Sequence, residues 1–284
     1  MAARILDGRA LAVELSSVAA ERSAQLRARG IMPRLEVVVA GDDAASATYV
    51  RALRTAGTKA GVDVGVAQLP ADCDEARLRA VLHVLGEEPL VHGVILQQPL
   101  PPHLALRSIV EMMPASKDVD GANPLNFGRL AFRSGTELVA ATPSAVMLLL
   151  DRSERRALRG VRACVVGRSS VVGLPVALLL LARDATVTIA HRGTADLAAR
   201  TREADVVVAA AGMPGLIRAE MIAPGATVID VGTNYVDGKL VGDVAYDEVA
   251  QIAGEITPVP GGVGPVTNAA LMLNVLTAAE RAAI

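Results

Sequence analysis

A short glycine-containing turn near the middle of the chain has residues that could bind an anion. The β-branched run at 161–166 predicts a buried strand, which ends at Gly167. The polar residues 168–170 follow, and Gly173 and Pro175 lead into an apolar run of helical character. Proline is tolerated in the first helical turn, and the free N–H groups and positive dipole of a helix N-terminus attract phosphate. The pattern therefore predicts a strand, a glycine turn and an anion-binding helix start.

The spacing of this turn alone leaves two interpretations open. It departs from the GxGxxG pattern, because Ser169 stands where a middle glycine would be. Many α/β domains also carry a glycine between a strand and a helix without binding a nucleotide. Apolar runs at 185–191, 204–211 and 226–231 then predict three more strands, typical of a parallel sheet that is covered on both faces. These runs favour a Rossmann-type, dinucleotide-binding sheet.

Composition and charge exclude several classes of function. The 284 residues suit two domains, and a composition of 52% hydrophobic and 2% aromatic residues is typical of an α/β protein. A net charge of −2 provides no electrostatic basis for binding nucleic acid or an anionic membrane. We see no secretory signal, membrane span, disulfide framework or metal-ligand spacing of the histidines. We therefore expect a soluble, cytoplasmic protein without a metal ion.

The N-terminal half alternates predicted helices with predicted strands, as a second α/β unit would. The helices are predicted at 5–29, 46–59 and 74–85, and the strands at 35–40, 64–69 and 91–98. Residues 114–141 are predicted to form a long irregular segment, and such segments in compact domains are usually functional. A helix at 145–150 is expected to join the domains. Residues 257–265 are predicted to form a rigid loop before a last helix, 268–281, which is expected to return to the first domain.

Eight short segments, taken together and in order, resemble one known family. They are Ser46-x-x-Tyr49-Val50, VILQQPLP at 94–101, KDVDG at 117–121 with the following Asn-Pro-x-Asn, Thr142-Pro143, VVGRSxxVGxP at 165–175, VIDVGTNY at 228–235, VGDVAYDEV at 241–249 and TPVPGGVGPVT at 257–267. The resemblance runs from end to end of the chain. It is to the bifunctional methylenetetrahydrofolate dehydrogenase/methenyltetrahydrofolate cyclohydrolase enzymes.

The resemblance implies a homodimer of two-domain subunits that bind folate in the cleft between the domains. The folate-binding catalytic domain would be 1–141 plus the C-terminal helix 268–284, and the Rossmann-type NAD(P)-binding domain would be 142–267. The implied reaction oxidises 5,10-methylenetetrahydrofolate to 5,10-methenyltetrahydrofolate by hydride transfer to the nicotinamide. This reaction belongs to the one-carbon metabolism that supplies purine biosynthesis.

The resemblance also implies roles for individual residues. Tyr49 would lie against the folate ring system, Asp120 would accept hydrogen bonds from the pterin amino group and ring nitrogen, and Gln97 would help shape the polar site. The substrate-binding set further contains the loop residues Gly261, Gly262 and Pro265. Outside these motifs, each of these three residues would fit an ordinary role. Tyr49 could pack on its helix, Asp120 could form a turn, and Gln97 could be a satisfied polar residue at a strand end.

The chain departs from the family at one position of the first motif. In the family, Tyr-Val-x-x-Lys places a lysine one helical turn after the tyrosine, where it helps to activate water for cyclohydrolase chemistry. Here that position is Leu53. Arg54 is rotated by about 100° around the helix, and Lys59 lies about 15 Å further along the axis than Tyr49, so neither is an obvious substitute.

We therefore hypothesise a dehydrogenase with weak or absent cyclohydrolase activity. One alternative is a fully bifunctional enzyme that produces 10-formyltetrahydrofolate, in which Leu53 only continues an apolar stripe with Val50 and another group supports hydrolysis. A less favoured alternative is a non-catalytic paralogue that binds folate or a nucleotide.

The predicted second strand of the sheet bears on cofactor choice. NAD sites usually place Asp or Glu at this strand end, whereas this chain has His191 and Arg192 there and Arg168 in the glycine turn. Both arginines could bind a 2′-phosphate, although a solvated surface arginine is the simpler alternative. NADP is the predicted cofactor and NAD the alternative. The predicted cofactor-binding residues are Gly167, Arg168, Ser169, Gly173, His191, Arg192 and Thr233.

Overall fold

The computed structural model describes residues 2–104 and 109–283, which fold into two compact units. We call Thr142–Thr267, together with the residues up to Ala12, the six-stranded unit. We call Val13–Ala141, together with the residues from Asn268 onward, the three-stranded unit. Residues 2–12 therefore group with the six-stranded unit, whereas the boundaries expected from the family resemblance place them in the folate-binding domain. The physical reason is that a short strand near the N-terminus pairs with the sheet of the six-stranded unit.

The six-stranded unit contains an all-parallel sheet. Its strands are β1 (Arg4–Ile5), β5 (Arg162–Val166), β6 (Thr186–Ala190), β7 (Val206–Ala209), β8 (Thr227–Asp230) and β11 (Glu255–Ile256). The strand order is β1-β11-β8-β7-β5-β6, so β5 lies between the strands that follow it in the chain. Ligands of open α/β sheets bind at the carboxyl ends of strands where the order reverses in this way. The reversal lies between β5 and β7.

Helices and a hairpin complete this unit. They are α5 (Ala141–Leu150), α6 (Gly173–Ala182), α7 (Leu197–Arg202), the 3-10 helix Ala219–Met221, α8 (Tyr246–Val249) and the antiparallel hairpin of β9 (Asn234–Val236) and β10 (Lys239–Val241). All four residues of β7 and of β8 are buried, as expected for strands covered on both faces. The second predicted strand differs, because β6 is the sheet edge and three of its five residues are exposed.

The three-stranded unit has a parallel sheet in the order β3-β2-β4. Its elements are β2 (Arg34–Ala40), β3 (Asp63–Leu69), β4 (Gly93–Leu96), α2 (Ala44–Ala60), α3 (Glu75–Glu87), α4 (Pro124–Phe132) and most of α1 (Gly8–Ala28) and α9 (Val263–Ala282). Side chains of β2 alternate between two apolar clusters: Val37 and Val39 pack in one, and Val38 packs in the other. The first cluster also contains Leu271 and Val275 of α9.

Two segments expected to be irregular contain helix. Within 114–141, α4 begins where Asn123 accepts a 2.8 Å hydrogen bond from the Leu125 N–H and Pro124 occupies the first turn. These are ordinary helix-start signals, and the sequence carries them. The last helix begins at Val263, five residues earlier than expected, because Pro265 fits the first turn, where its missing N–H has no partner to lose.

The described part of the chain contains no helix long and apolar enough to cross a membrane. Both cysteines, Cys73 and Cys164, are buried free thiols.

A buried carboxylate connects the N-terminal strand to the rest of the six-stranded unit. Glu255 of β11 is 4% exposed and accepts hydrogen bonds from the Arg4 guanidinium, the Ser153 hydroxyl, and the Thr227 hydroxyl at 3.0 Å. Burial by itself would raise the pKa of Glu255, but the hydrogen bonds from Ser153 and Arg4 outweigh it and lower the pKa. The ionised form of Glu255 is thus the stabilising one.

Replacing this carboxylate should weaken the unit. We expect Glu255→Gln to lower the free energy of unfolding by about 1–3 kcal/mol at neutral pH, because charge-assisted hydrogen bonds are lost inside the protein. A depressed folded-state pKa contributes stability above the unfolded pKa and loses it as pH falls, so the difference from wild type should shrink in acid. Urea unfolding measures both effects. The neighbouring exposed Glu154→Gln is the control, and equal losses in the two variants would contradict the prediction.

Candidate functional site

Helix α2 brings Tyr49 and Leu53 to one face of the three-stranded unit. The Asp43 carboxylate caps the helix by accepting the Ser46 N–H at 2.9 Å. Residues four apart share a face, so the partly exposed Tyr49 lies one turn before Leu53. Both pack in the apolar cluster that contains Val119.

Leu53 lies entirely within that apolar cluster. Its side chain is 0% exposed and packs with Tyr49 and Val50, so an apolar stripe runs along this face of α2. Arg54 and Lys59, the two basic residues considered as substitutes for a lysine at 53, are both exposed. The chemistry available on this face of α2 is therefore that of a phenol and of hydrocarbon.

Asp120 lies in a tight turn that closes onto the edge of the sheet. The Gly121 N–H donates to the Asp118 carbonyl at 3.3 Å, and Gly121 has φ +64°. A Cβ at position 121 would lie 2.5 Å from the backbone nitrogen of Ala140, so only glycine fits there. The Val94 N–H of β4 donates to the Lys117 carbonyl at 2.8 Å, which sets the turn beside the sheet.

The electrostatics of this site differ from those of a solvated aspartate. Burial, with a smaller contribution from the nearby Asp118 charge, raises the pKa of Asp120 to about 7. Burial and the Asp120 carboxylate together raise the pKa of Tyr49. Tyr49 and Asp120 are therefore brought together, and the carboxylate is suited to accept hydrogen bonds from a ligand with paired N–H donors.

Gln97 follows β4 at the carboxyl edge of the same sheet. Its backbone N–H donates to the Val38 carbonyl at 2.9 Å, which continues the strand pairing. Its partly exposed side-chain amide donates to the Gln98 carbonyl at 2.6 Å. The structure therefore places Gln97 near the edge that carries the Asp120 turn, with its amide engaged locally.

The glycine turn after β5 has the close packing expected of a nucleotide-binding turn. Gly167 has φ +139°, and a Cβ there would lie 2.1 Å from the Ala210 carbonyl oxygen at the end of β7. A Cβ on Gly173 would lie 2.3 Å from the Gly167 carbonyl oxygen. The Ser169 hydroxyl accepts the Val172 and Gly173 N–H groups at 3.2 and 3.3 Å. Both glycines are required, and Ser169 organises the first turn of α6.

Arg168 and Arg192 lie at matching positions beyond two paired strands. Val166 of β5 pairs with Ala190 of β6, and each arginine comes two residues after its partner in that pair. Both arginines are exposed. His191 organises the turn after β6, because its Nδ1 accepts the Gly193 N–H at 3.1 Å. Two cations thus follow neighbouring strands at one edge of the sheet.

A second group of predicted residues lines a cavity of about 180 Å³ within the six-stranded unit. Thr233 lies in this cavity with the loop residues Gly261, Gly262 and Pro265. A Cβ on Gly262 would lie 2.6 Å from the Pro258 carbonyl oxygen, so the loop is packed closely. The structure therefore groups three predicted substrate-binding residues with one predicted cofactor-binding residue.

Two buried acidic residues were not predicted from the sequence: Asp230, which lines this cavity, and Asp243, whose backbone N–H donates to the Asp230 carboxylate. Asp243 is fully buried and accepts the N–H groups of Ala211, Gly212 and Met213 at 2.6, 2.8 and 2.9 Å. Asp230 lines the cavity, and burial raises its pKa to about 6. The VIDVG and VGDV segments contained both residues, but nothing local indicated that their carboxylates would hold loops from other strands.

Two family models match separate parts of the chain. Residues 6–120 match the catalytic domain of tetrahydrofolate dehydrogenase/cyclohydrolase, and residues 140–283 match its NAD(P)-binding domain.

Curated proteins and solved structures match over the full length. The chain is 50% identical to the bifunctional protein FolD of Bordetella avium over 283 residues, 99% of each sequence. It is 39% identical to the Campylobacter jejuni bifunctional enzyme FolD, a methylenetetrahydrofolate dehydrogenase/cyclohydrolase, with a TM-score of 0.96 over 99% of each chain. It is 41% identical to the Trypanosoma brucei enzyme, whose structure holds NADP and an inhibitor, with a TM-score of 0.94 over 100% of this chain and 99% of that one.

The packing of Gly167 leads to a testable prediction for the turn. We expect Gly167→Ala to weaken dinucleotide binding about tenfold or more, because the added methyl displaces a turn held against Ala210 and backbone strain of this kind costs about 1–3 kcal/mol. Isothermal titration calorimetry measures the affinity. Gly160→Ala is a matched control: Gly160 also has positive φ, at +76°, but a Cβ there meets no atom within 4 Å. Equal affinities in the two variants would count against the turn as a binding element.

Proposed function

Because this chain belongs to the tetrahydrofolate dehydrogenase/cyclohydrolase family, we propose that it oxidises 5,10-methylenetetrahydrofolate to 5,10-methenyltetrahydrofolate with NADP⁺ as hydride acceptor. The observation that carries the proposal is that this family chain retains both a carboxylate beside Tyr49 and a closely packed glycine turn after β5. It is accordingly an oxidoreductase of one-carbon metabolism.

Hydride loss from this substrate needs little acid or base chemistry. The two nitrogens that flank the methylene carbon stabilise the cation that remains, so the protein must mainly orient the reactants and exclude competing reactions. Asp120 accepts hydrogen bonds from the pterin amino group and ring nitrogen, and Tyr49 packs against the ring system. Gln97 contributes to this polar site. Gly261, Gly262 and Pro265, in a loop of the six-stranded unit, are the other proposed substrate-binding residues, and their part is to allow close backbone approach.

The residues present fit an NADP molecule. The close backbone contact at Gly167 leaves room for a pyrophosphate at the start of α6, where Ser169 and Gly173 lie. Arg168 and Arg192 bind the 2′-phosphate, and His191 and Thr233 complete the predicted cofactor set. When bound, the nicotinamide accepts the hydride at C4.

Replacing the two arginines, Arg168 and Arg192, tests the cofactor preference. We expect the double variant Arg168→Ala/Arg192→Ala to raise KM for NADP by more than tenfold and to change KM for NAD little, because only NADP carries the 2′-phosphate. Steady-state kinetics with each cofactor provide the measurement. Arg159→Ala, an exposed arginine before β5, serves as the control. Equal effects on the two cofactors would overturn the assignment.

Cyclohydrolase activity is proposed to be weak or absent. Hydrolysis of the methenyl carbon requires proton transfer, and position 53 contributes only a buried leucine to this face of α2. The alternative is a bifunctional chain that also produces 10-formyltetrahydrofolate; the B. avium relative is named a bifunctional protein. A binding paralogue without activity is the third candidate and would give no product in either assay.

Leu53→Lys tests this hypothesis directly. We expect wild type to oxidise the methylene substrate but to hydrolyse purified methenyltetrahydrofolate slowly, and Leu53→Lys to gain about a hundredfold in hydrolysis, the low end for general acid–base catalysis. Near-ultraviolet absorbance of the methenyl compound increases in the oxidation, where it is measured after acid quenching of the reduced nicotinamide, and decreases in the hydrolysis. Leu53→Met controls for the change in packing. If wild type hydrolyses as fast as it oxidises, the lysine is dispensable here and the bifunctional function holds.

A cytoplasmic homodimer is proposed as the working form. The exposed edge strand β6, in which Ile189 is 39% exposed, offers unpaired backbone groups of the kind that pair between subunits. The two buried free thiols suit a reducing compartment. Analytical ultracentrifugation of the full chain tests whether it is a dimer. Sedimentation of the chain as a monomer at micromolar concentration would refute the proposal.

A further inference from the structure

A buried carboxylate closes the turn that carries Asp120. Asp118 is 0% exposed and accepts three hydrogen bonds, each of 2.9 Å, from the Ala122 N–H, the Asn123 N–H and the Asn126 side-chain amide. The donors lie four, five and eight residues further along the chain. The Asp118 carboxylate, two residues before Asp120, is thus hydrogen-bonded to groups that follow Asp120 in the chain, and these bonds close the turn.

The two asparagines extend this network into the flanking segment. The Asn126 amide also donates to the Ala115 carbonyl at 2.8 Å, and its oxygen accepts the Leu138 N–H at 3.3 Å. The Asn123 amide donates to the Met113 carbonyl at 2.8 Å. The Asn-Pro-x-Asn motif therefore acts together with Asp118 and connects the whole of the segment that was expected to be an irregular loop.

A separate, uncharged contact holds the same turn from the other side. Asn274 of α9 donates to the Val119 and Val139 carbonyls, both at 2.8 Å. Val119 is itself fully buried in the apolar cluster. Asp118 thus holds the turn through a charged side chain, and Asn274 holds it through a neutral one. Variants at the two positions can therefore separate the effect of charge from that of rigidity.

The charged group that acts on Asp120 is Asp118, from its own turn, and the charge of Asp120 in turn raises the pKa of Tyr49 from α2. Lys117 lies three residues before Asp120, but its ammonium donates to the Glu88 carbonyl at 2.7 Å. Leu53 supplies no charge. Among the described residues, Asp120 has no ion-pair partner, so the nearest strong influence on its charge is a second carboxylate.

We propose that Asp118 is a positioning residue for folate recognition, whose buried carboxylate holds the 118–121 turn so that both oxygens of Asp120 face the pterin edge. The proposal rests on the proposed function, in which Asp120 binds the pterin. Asn126 supports it by donating to Asp118.

The proposal has a signature that general destabilisation lacks. Protonated Asp120 loses an acceptor for the pterin donors, so folate affinity should fall as pH decreases through about 7. Since the Asp118 charge opposes ionisation of Asp120, its removal should move the midpoint of this decrease to lower pH. Loosening the turn without changing charge should weaken binding and leave the midpoint in place.

The experiment titrates the full chain with 5-formyltetrahydrofolate, a stable reduced folate, by calorimetry between about pH 5.5 and pH 9. Asp118→Asn should weaken binding about tenfold at alkaline pH and move the midpoint down by roughly half a unit or more, because an amide donor would face three N–H donors and the like charge is gone. Asn274→Leu, the neutral control, should weaken binding at every pH without moving the midpoint.

The outcomes distinguish a failure of the positioning role of Asp118 from a failure of the proposed role of Asp120. If Asp120→Asn binds the folate as wild type does, the proposed role of Asp120 is wrong. If Asp120→Asn loses affinity but Asp118→Asn shows the wild-type affinity and midpoint, only the positioning role is wrong. Should Asp118→Asn fail to fold, Asn126→Ser takes its place, with severalfold weaker folate binding and unchanged dinucleotide binding expected. Unchanged folate binding in that variant would overturn the proposal.

Discussion

The close contact between Gly167 and the Ala210 carbonyl is the constraint on which the nucleotide-binding edge depends. It brings the ends of β5 and β7 together where the strand order reverses, and α6 then begins at a second closely packed glycine, Gly173. Any side chain at 167 would separate the two strand ends. Arg168 and Arg192 lie two residues beyond paired positions of β5 and β6, so the two proposed phosphate-binding residues follow neighbouring strands at this edge.

The three-stranded unit depends on a different constraint. Asp120 is a carboxylate in a largely apolar setting, and it has no ion-pair partner among the residues that the structure describes. Burial and the Asp118 charge raise the pKa of Asp120 to about 7, and Leu53 supplies no cation to oppose this. Such a site favours a neutral ligand with paired N–H donors. The buried Leu53 supplies no ammonium group for the hydrolysis of the methenyl carbon, which is why hydride transfer and hydrolysis are proposed to separate in this chain.

Much of the fold could be predicted because local signals agreed with tertiary structure. The β-branched run ending at Gly167 is β5, and the apolar runs of β7 and β8 are buried as expected. The prediction of an irregular segment over 114–141 was wrong at α4, although Asn123 and Pro124 are ordinary helix-start residues. The exposure of β6 could not be predicted, since its edge position depends on which strand lies beside β5.

The sequence by itself determined the family, the α/β class, the motifs that carry the candidate sites and the leucine at position 53. These depend on residue identity and short spacing, which the chain carries directly. Only the tertiary structure decided that β1 joins the sheet through β11, that Leu53 is fully enclosed, and that Asp118 holds the Asp120 turn. Each of these depends on burial or on contacts with residues elsewhere in the fold, and local sequence patterns do not specify such contacts.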